Sequence, residues 1–511
     1  MATSDGDLQM EFTMERERGG VVNEPPFRML VLGDWSGDGA RPDLAARGLV
    51  TVDRDNFDAV MDRLGTSLRL HVHGEGSDPI TLRFSELEDF HPDRIFGQVP
   101  LFSDLRDLRR RLKSEDAFNE AAREVRSWFA AAEKPAAEAA EPETPGAASS
   151  DGPQDLLGQI LAHPGGGAVP VRSRSIESGE LNALIVDLVR PYLVRVDEDE
   201  QAKLVAAVDS ATGNLMRKIL HDRKFQAFEA AWRGLFFMVR RAETDSGLSI
   251  HILDVTKEEL SDSLSSVSDL SATALYKTLV TDAIETPGGE PWAVTIGGYD
   301  FLPNVDDVAT LVRIAKISAA AGAPFISHMR PDVLGVRSLH ENTDPKSWDL
   351  STDADAGKLW FALRSVPEAG YLGLAIPRFL ARMPYGADTD PLESFSFEEF
   401  LDSPVHDGYL WANPGFACGT LLAQSYSEFG WEMGGGRFSQ DLERIPLHVY
   451  KRDGETVHTP CAEVQLTDRA CDLLLEYGLM ALVSYKNTDH VRLARFQSIT
   501  DPVTKLNGRW H

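Results

Sequence analysis

The stretch from Leu220 to Val255, LHDRKFQAFEAAWRGLFFMVRRAETDSGLSIHILDV, decides the fold. Its first half spaces large apolar residues three or four positions apart, which places them on one face of a helix: Phe225, Phe228, Trp232, Leu235 and Val239. The triplet Asp245-Ser246-Gly247 breaks this pattern. Leu248, Ile250 and Ile252 then recur at every second position, as in a β-strand. The stretch therefore predicts a helix–strand unit that builds the core of an α/β protein, and it contains nothing that resembles a reaction centre.

Composition and charge exclude several classes of function. At 511 residues the chain is long enough for roughly three domains of about 150 residues each. The formal net charge of −29 disfavours binding to nucleic-acid backbones and to anionic membrane surfaces. The N-terminus has no apolar core of signal-peptide length, and no run approaches the roughly 18 apolar residues of a membrane span. We therefore expect a cytoplasmic protein that binds no nucleic acid and does not insert directly into a membrane.

Local composition divides the chain into four segments. Residues 1–24 predict a flexible arm, and residues 25–132 predict a small α+β domain in which Asp53 is the candidate cap of the first helix. Residues 133–154 are rich in Ala, Glu, Pro, Gly and Ser, which is typical of a linker. Residues 155–511 alternate helix and strand patterns, which predicts an α/β domain of mixed sheets flanked by helices. A linker of this kind holds two domains at roughly millimolar effective concentration and favours their pairing.

A glycine-rich loop follows the first predicted strand, but nucleotide binding is disfavoured there. Gly33, Gly37 and Gly39 superficially resemble a phosphate-binding loop. The loop lacks the Gly-Lys-Ser/Thr ending of such loops and carries Asp34 and Asp38, whose charge repels phosphate. We therefore interpret the glycines as turn residues.

Metal binding and acid–base catalysis also have little support. His71 and His73 share one face of a predicted strand, but they have no third ligand at suitable spacing, so a solvated strand face is favoured over a metal site. His71, His73 and His91 all lie near acidic residues in the sequence. Glu290 and Asp300 flank a predicted buried strand, where acid–base chemistry and bridging between subunits are both open.

The remaining candidate residues favour structural functions. Arg378 and Arg382 are interpreted as ion-pairing groups beneath a tight turn. Cys418, Cys461 and Cys471 have neither CxxC spacing nor an even count, which favours buried thiols over disulfides or zinc. The chain contains no G-x-S-x-G or H-E-x-x-H motif and no Cys with a nearby patterned His. We predict that the protein is not an enzyme and that it holds no cofactor and no metal.

Two sets of motifs resemble the contractile sheath of bacterial type VI secretion systems. The first half carries PFRMLVLGDWSG (26–37), RDNFD (54–58) and LEDFHPDRI (87–95), and it resembles the small, TssB/VipA-like sheath subunit. The second half resembles the large, TssC/VipB-like subunit over roughly residues 180–500. Its motifs are FQAFEAAWRGL (225–235), GGEPWAVTIGGYDF (288–301), YLGLAIPRFLARMPYG (371–386), WANPGFA (411–417) and SYKNTD (484–489). The chain is therefore identified as a fusion of the two sheath subunits.

The resemblance implies a phage-tail-sheath-like fold and a set of partners. It implies other copies of the same chain in a helical or ring assembly, an Hcp-like inner tube protein and baseplate components. It also implies that a short Leu/Ile-rich helix is gripped by a ClpV-like disassembly ATPase, and the residues here that match are Leu156, Leu157, Ile160 and Leu161. A helix docked on its own domain is an equally open interpretation of these four residues.

One departure from the family leaves a second function open. The large subunit of the family continues for about another hundred residues past the KNTD region, whereas this sequence stops at Trp510-His511. We expect either that a separate protein supplies the missing elements, or that the protein is a cap, anchor or adaptor that binds the sheath without propagating it. An α/β enzyme that the motifs do not reveal is the third and weakest hypothesis.

Overall fold

The computed structural model describes residues 24–72, 78–132 and 200–510. We call residues 24–132 the N-terminal segment and residues 200–510 the C-terminal segment. The strands are β1 (Phe27–Gly33), β2 (Val50–Val52), β3 (Ser67–Leu70), β4 (Ile80–Arg83), β5 (Leu248–Asp254), β6 (Trp292–Phe301), β7 (Phe325–Met329), β8 (Leu372–Ile376), β9 (Phe379–Leu380), β10 (Trp411–Ala412), β11 (Asp441–Leu442), β12 (Val449–Arg452), β13 (Glu455–His458), β14 (Met480–Ser484) and β15 (Val491–Leu493).

The α-helices are numbered in the same way. They are α1 (Phe57–Arg63), α2 (Pro92–Gln98), α3 (Pro100–Leu112), α4 (Phe118–Ala132), α5 (Glu200–Leu220), α6 (Arg223–Arg241), α7 (Lys257–Ser265), α8 (Ala274–Tyr276, continued by a π-helical stretch Lys277–Glu285), α9 (Val305–Ala321), α10 (Asp355–Arg364), α11 (Pro414–Phe429) and α12 (Asp468–Glu476). The predicted mixed α/β fold is confirmed.

The centre of the fold is a nine-stranded sheet with the order β11-β15-β14-β8-β7-β6-β1-β5-β2. Its six inner strands, from β14 to β5, run parallel. Antiparallel strands close both ends, β2 beside β5 and the pair β15–β11 beside β14. A parallel interior with helices on both faces explains why most residues of the inner strands are buried.

Strand β1 of the N-terminal segment is an interior strand of this sheet. Its residues Phe27 to Gly33 pair with Leu248 to Asp254 of β5 on one side, and Met29 to Leu32 pair with Val294 to Gly297 of β6 on the other. Six of the seven residues of β1 are buried. The two segments therefore share one sheet. Strands of the C-terminal segment flank β1 on both sides, although β1 belongs to the N-terminal segment.

The sheet separates two hydrophobic cores, and β1 contributes to both. Met29 and Val31 face the core that contains α6 and α11, whereas Leu30 and Leu32 face the core formed with α7 to α10 and α12. Helices α6 and α11 pack closely at Gly234, where any side chain would collide with the ring of Phe416. This contact explains a glycine in the middle of an otherwise strongly apolar helix.

The predicted helix–strand unit is confirmed as α6 followed by β5. The Asp222 side chain caps α6 by accepting hydrogen bonds from the backbone N–H groups of Lys224 and Phe225. The predicted cap of the first helix is wrong. Helix α1 follows Asn56, and the Asp53 carboxylate instead accepts the N–H groups of Asp55 and Asn56, so it stabilises the turn that precedes the helix.

Helices α3, α4 and α5 join the two segments a second time. Arg109 of α3 pairs with Asp209 of α5 at 2.5 Å, and Gln201 donates to the carbonyl of Leu112 at 2.8 Å. Arg126 of α4 pairs with Glu200 at the start of α5 at 2.5 Å. Residues 126 and 200 thus lie side by side, so holding the segments together does not require a covalent connection between α4 and α5. The domain boundaries drawn from the sequence stay a prediction.

We expect the two segments to remain associated after the chain is cut between them. A protease site engineered into residues 133–154 and cleaved in the folded protein leaves two pieces that co-elute in gel filtration, because β1 stays buried between β5 and β6. Val31→Pro is the control, since proline in a central strand removes a ladder hydrogen bond and is not tolerated in the interior of a sheet. Pieces that separate without denaturant, or a Val31→Pro protein that behaves like the parent, would contradict the shared sheet.

Candidate functional site

The joint between the two segments is built at the carboxyl ends of the parallel strands. Gly33 ends β1 beside Asp254, which ends β5. The Asp254 carboxylate accepts a hydrogen bond from the backbone N–H of Trp35 at 2.8 Å and one from the Ser36 hydroxyl at 2.6 Å. One carboxylate of the C-terminal segment therefore fixes the direction in which the N-terminal segment leaves the sheet.

Two arginines of the N-terminal segment complete this end of the joint. Arg47 pairs with Glu259 at 2.5 Å and donates to the backbone carbonyl of Asp254 at 2.6 Å. Arg41 pairs with Asp34 at 2.5 Å and lies 3.3 Å from Glu259. Hydrogen bonding by Arg47 lowers the pKa of Glu259 to about 2. The carboxylate is therefore charged at neutral pH, and the pair holds α7 against the N-terminal segment.

The glycine-rich loop after β1 serves this joint and does not form a phosphate site. Arg41 hydrogen-bonds to the carbonyl of Gly37 and to the carboxylate of Asp34. Gly37 has a φ of 63°, and a side chain there would collide with the carbonyl of Ser67. Asp38 accepts a hydrogen bond from Lys224 at 2.7 Å. The acidic and glycine residues are thus used within the chain, in agreement with the interpretation of the glycines as turn residues.

Aromatic rings from both segments interlock on the α6 side of the sheet. Trp232 of α6 lies edge-on to Trp35 at 5.2 Å and to Phe57 at 5.7 Å. In a second group, the rings of Phe84 and Phe90 each lie within 6.4 Å of the rings of both Phe225 and Phe228 across the joint. Offset and edge-to-face ring pairs each contribute about 0.5–1.5 kcal/mol beyond their burial. The side of α6 that carries Phe225, Phe228 and Trp232 therefore packs against the N-terminal segment.

The motif LEDFHPDRI holds a long loop of the C-terminal segment. The Asp93 carboxylate accepts hydrogen bonds from the backbone N–H groups of Glu393 and Ser394, both at 2.9 Å. Burial acts to raise the pKa of Asp93, but these donors outweigh it and the pKa lies below its usual value. The His91 ring stands edge-on to the Tyr385 ring at 5.0 Å. This motif is therefore a docking element, in which Asp93 and His91 contact the C-terminal segment.

A buried ion-pair cluster anchors the same loop to α6. Arg382 lies 2.9 Å from Glu229 of α6 and 2.8 Å from Glu399, and both carboxylates are almost completely buried. Arg233 pairs with Glu229 at 2.6 Å, and the backbone N–H of Tyr385 donates to Glu399 at 2.8 Å. Two carboxylates and two guanidinium groups thus neutralise one another inside the protein.

The cluster keeps its charges at neutral pH. Burial alone would raise the pKa of Glu399, but the charge of Arg382 and the hydrogen bonds from His221, Arg382 and Tyr385 lower it to about 2. The pKa of Arg382 is raised well above its ordinary value, because the two carboxylates outweigh its own burial. Breaking such a pair leaves an uncompensated charge in a low-dielectric interior.

Sequence analysis identified only one member of this cluster. It interpreted Arg382 as an ion-pairing residue, which the structure bears out, but it missed Glu229 and Glu399. A signal for Glu229 was present, because a residue four positions after Phe225 and three before Trp232 lies on the buried face of the helix. No such signal exists for Glu399, whose surroundings have no regular periodicity. Arg378 pairs with Glu463 at 2.5 Å beneath the turn after β8, as predicted.

The other candidate residues are placed as follows. Glu290 pairs with Arg28 at 3.7 Å, and the Asp300 carboxylate lies within hydrogen-bond distance, 2.8 Å, of His328 Nδ1, so both carboxylates are paired within the chain. Cys418 and Cys461 are buried, which raises their pKa values to about 12, and Cys471 is partly buried; all three are free thiols.

Some predicted residues lie outside the described ranges. They are His73 and the four residues of the candidate ATPase-binding helix, Leu156, Leu157, Ile160 and Leu161. Among the described residues, no group of three or more His, Cys, Asp or Glu side chains is placed to hold a metal ion. In the same ranges no helix combines the length and apolar character that a membrane span requires.

Comparison with known proteins identifies the families that these two segments match. Residues 202–500 match the family model of VipB, the tail sheath N-terminal domain. Residues 7–126 match the family model of VipA of the type VI secretion system. The type VI secretion system sheath protein TssC1 of Pseudomonas aeruginosa is 36% identical over 306 residues, which cover 58% of this chain and 61% of TssC1. The chain thus spans about three fifths of the length of this relative.

We expect Arg382→Met to destabilise the folded protein strongly. The substitution leaves Glu229 and Glu399 without their shared cation, and losing one partner of a buried ion pair costs about 3–5 kcal/mol. Urea denaturation measures the change in the free energy of unfolding. The matched control combines Arg382→Met with Glu399→Gln, which removes one stranded charge and recovers part of the loss. A change below about 1 kcal/mol in the single variant would contradict the assigned role.

We also expect stability to fall in acid through Glu399 and Glu259. Both have a folded-state pKa of about 2, below the ordinary value of 4.5, so their contribution is complete above pH 4.5 and is lost as the pH falls towards about 2. Thermal unfolding between pH 7 and pH 3 measures this loss. Glu399→Gln, already destabilised at pH 7, should lose less on acidification than the parent. Equal acid sensitivity of the two proteins would refute the prediction, and Glu476→Gln, at an exposed position, is the control.

Proposed function

Because the chain belongs to the VipB tail sheath family and carries a VipA sequence in the same polypeptide, we propose that it is a structural subunit of a type VI secretion contractile sheath. The sheath would surround an inner tube and drive effector delivery by contraction. The observation that carries this proposal is the position of β1 between β5 and β6. Because of this position, the small-subunit and large-subunit sequences fold together into one structural unit.

The internal chemistry supports a mechanical role. Charged groups pair with one another at the joint, Arg47 with Glu259, and inside the C-terminal segment, Arg382 with Glu229 and Glu399 and Arg378 with Glu463. Groups that are satisfied within the chain hold its parts in place, whereas catalytic groups must be available to a substrate. The sheath families also describe structural proteins, so we propose that the chain works without catalysis.

A contractile sheath requires repeated contacts between copies that can change their packing. Such devices hold identical subunits in two arrangements that differ by modest free energy, and a trigger releases them from one to the other. We therefore propose that the principal partners are other copies of this chain, with an Hcp-like inner tube protein and baseplate components as further partners. The site of assembly would be the cytoplasm. The family matches favour this function over that of a sheath cap, anchor or adaptor.

Residues outside the described ranges complete the proposal. On the strength of the family resemblance, we propose that Leu156, Leu157, Ile160 and Leu161 form the contact for a ClpV-like disassembly ATPase. Residues 1–24 would serve as an arm that adds to the sheet edge of a neighbouring copy, a mode in which main-chain hydrogen bonds give affinity.

Electron microscopy tests the proposed function. Purified full-length protein, alone or co-expressed with its inner tube partner, is expected to form rings or tubes in which every repeat contains this chain. Deleting residues 2–24 should leave a protein with unchanged thermal unfolding that no longer forms tubes, because it retains the shared sheet and loses the arm. A protein that stays monomeric in the presence of every other sheath component would refute the proposal.

A further inference from the structure

The loop between β9 and β10 is the feature that the shared sheet does not explain. It runs from residue 381 to residue 410 and contains one short 3-10 turn, His406–Gly408, as its only helix or strand within this described stretch. Loops of this length without regular structure are uncommon in compact domains and usually have a function of their own. We call residues 381–410 the acidic loop.

The inner side of the acidic loop is fixed at several points. Besides the buried pair of Arg382 and Glu399, the Arg217 guanidinium donates to the carbonyl of Glu398 at 2.7 Å. Gln226 of α6 donates to the carbonyl of Asp407 at 3.1 Å. Together with the contacts of Asp93, these bonds hold a loop whose only regular structure is one short 3-10 turn. A loop fixed in this way loses little conformational entropy when a partner binds to its outer side.

The outer side combines exposed apolar and acidic side chains. Leu401 is 54% exposed and Val405 is 60% exposed, which is unusual for large aliphatic residues only four positions apart. Asp402 and the 97%-exposed Asp407 lie beside them. From residue 383 to residue 436 the sequence contains nine acidic residues and no Lys or Arg. This face therefore suits a partner that offers positive charge together with some apolar surface.

Helix α3 offers such a surface in the same chain. Five of the eight residues from Arg106 to Lys113 are Arg or Lys, although the whole chain carries a net charge of −29. Arg109 and Arg111 are engaged by Asp209 and Glu124.

Three further cations are exposed and recur at helical spacing on the outward face: Arg106 and Arg110 of α3, and Lys113, which follows its last residue. Arg110 keeps an intrahelical pair with Asp107. The methylene stems of long cationic side chains can cover apolar residues while their charged ends remain in water.

We propose that the acidic loop of one copy docks onto the outward face of α3 of a second copy. Asp402 and Asp407 face Arg110 and Lys113, and Leu401 and Val405 pack against the stems of these cations. The two surfaces differ, so the contact is heterologous and leaves each copy with one free loop and one free α3 face. Repetition then builds an open or ring-shaped assembly. This inference rests on the proposed function and names the faces through which copies meet.

Charge reversal with rescue tests the contact in the full-length protein. The double variant Asp402→Lys with Asp407→Lys reverses the charge of the acidic loop. The double variant Arg110→Glu with Lys113→Glu reverses the charge on the outward face of α3. Sedimentation velocity over a range of protein concentrations measures self-association. Each reversed pair is expected to weaken it about tenfold or more, and the combination of both pairs is expected to restore it, since opposite charges face one another again. All four side chains are exposed, and thermal unfolding checks that each variant keeps the stability of the parent.

Matched variants separate this contact from general effects of charge. Asp472→Lys with Glu476→Lys makes the same change of charge at exposed positions of α12 and should leave self-association unchanged. Asp402→Asn with Asp407→Asn should show an intermediate loss if either reversed variant fails to fold. Failure of the combined variant to recover, or an equal loss in the α12 control, would overturn the assigned contact.

The inference and the proposed function fail in different ways. Tubes that persist unchanged in all charge-reversed variants reject the contact and leave the sheath function intact. A parent protein that never assembles rejects both.

Discussion

The whole structure depends on the pairing of β1 with β5 and β6. A strand in the interior of a parallel sheet needs hydrogen-bonding partners on both sides, and without β1 the facing edges of β5 and β6 would both be unpaired. Because an open apolar edge promotes aggregation, the C-terminal segment has no satisfactory fold without this strand. Residues 25–132 are therefore better understood as part of the central sheet and its cover than as a domain that only leans against it.

Polar contacts specify one arrangement of the two segments and one position of the acidic loop. Asp254, Glu259 and Arg47 fix the carboxyl end of β1, and Glu229 with Arg382 fixes the acidic loop on α6. Buried ion pairs contribute little net stability compared with apolar packing, but any other arrangement would leave these charges unpaired. Hydrophobic packing thus supplies most of the stability here. The ion pairs exclude alternative registers and alternative positions of the loop.

The sequence predicted regular elements well and long-range pairing poorly. Helix α6 and strand β5 follow from periodicity, because each depends on residues only a few positions apart. The insertion of β1 between β5 and β6 could not be predicted from spacing, since its partners lie more than 200 residues away. The same limit hid the partners of Arg382. The Asp53 cap failed because Asp53, Asp55 and Asn56 all prefer the start of a helix, and only the turn geometry selects among them.

A machine that contracts must change the contacts between subunits while the subunits themselves stay intact. Packed cores resist continuous deformation and transmit displacement, so a shared sheet with a neutralised joint suits the role of a stiff block. The surfaces left for switching are those whose groups the fold does not use internally. The outer side of the acidic loop and the outward face of α3 come close to this condition, because their exposed charges have only local partners, such as Asp107 for Arg110, and can change partners at small cost. A polymer whose subunits pack in two alternative arrangements requires subunits that are stiff internally. It also requires surface charge contacts between subunits that can be exchanged.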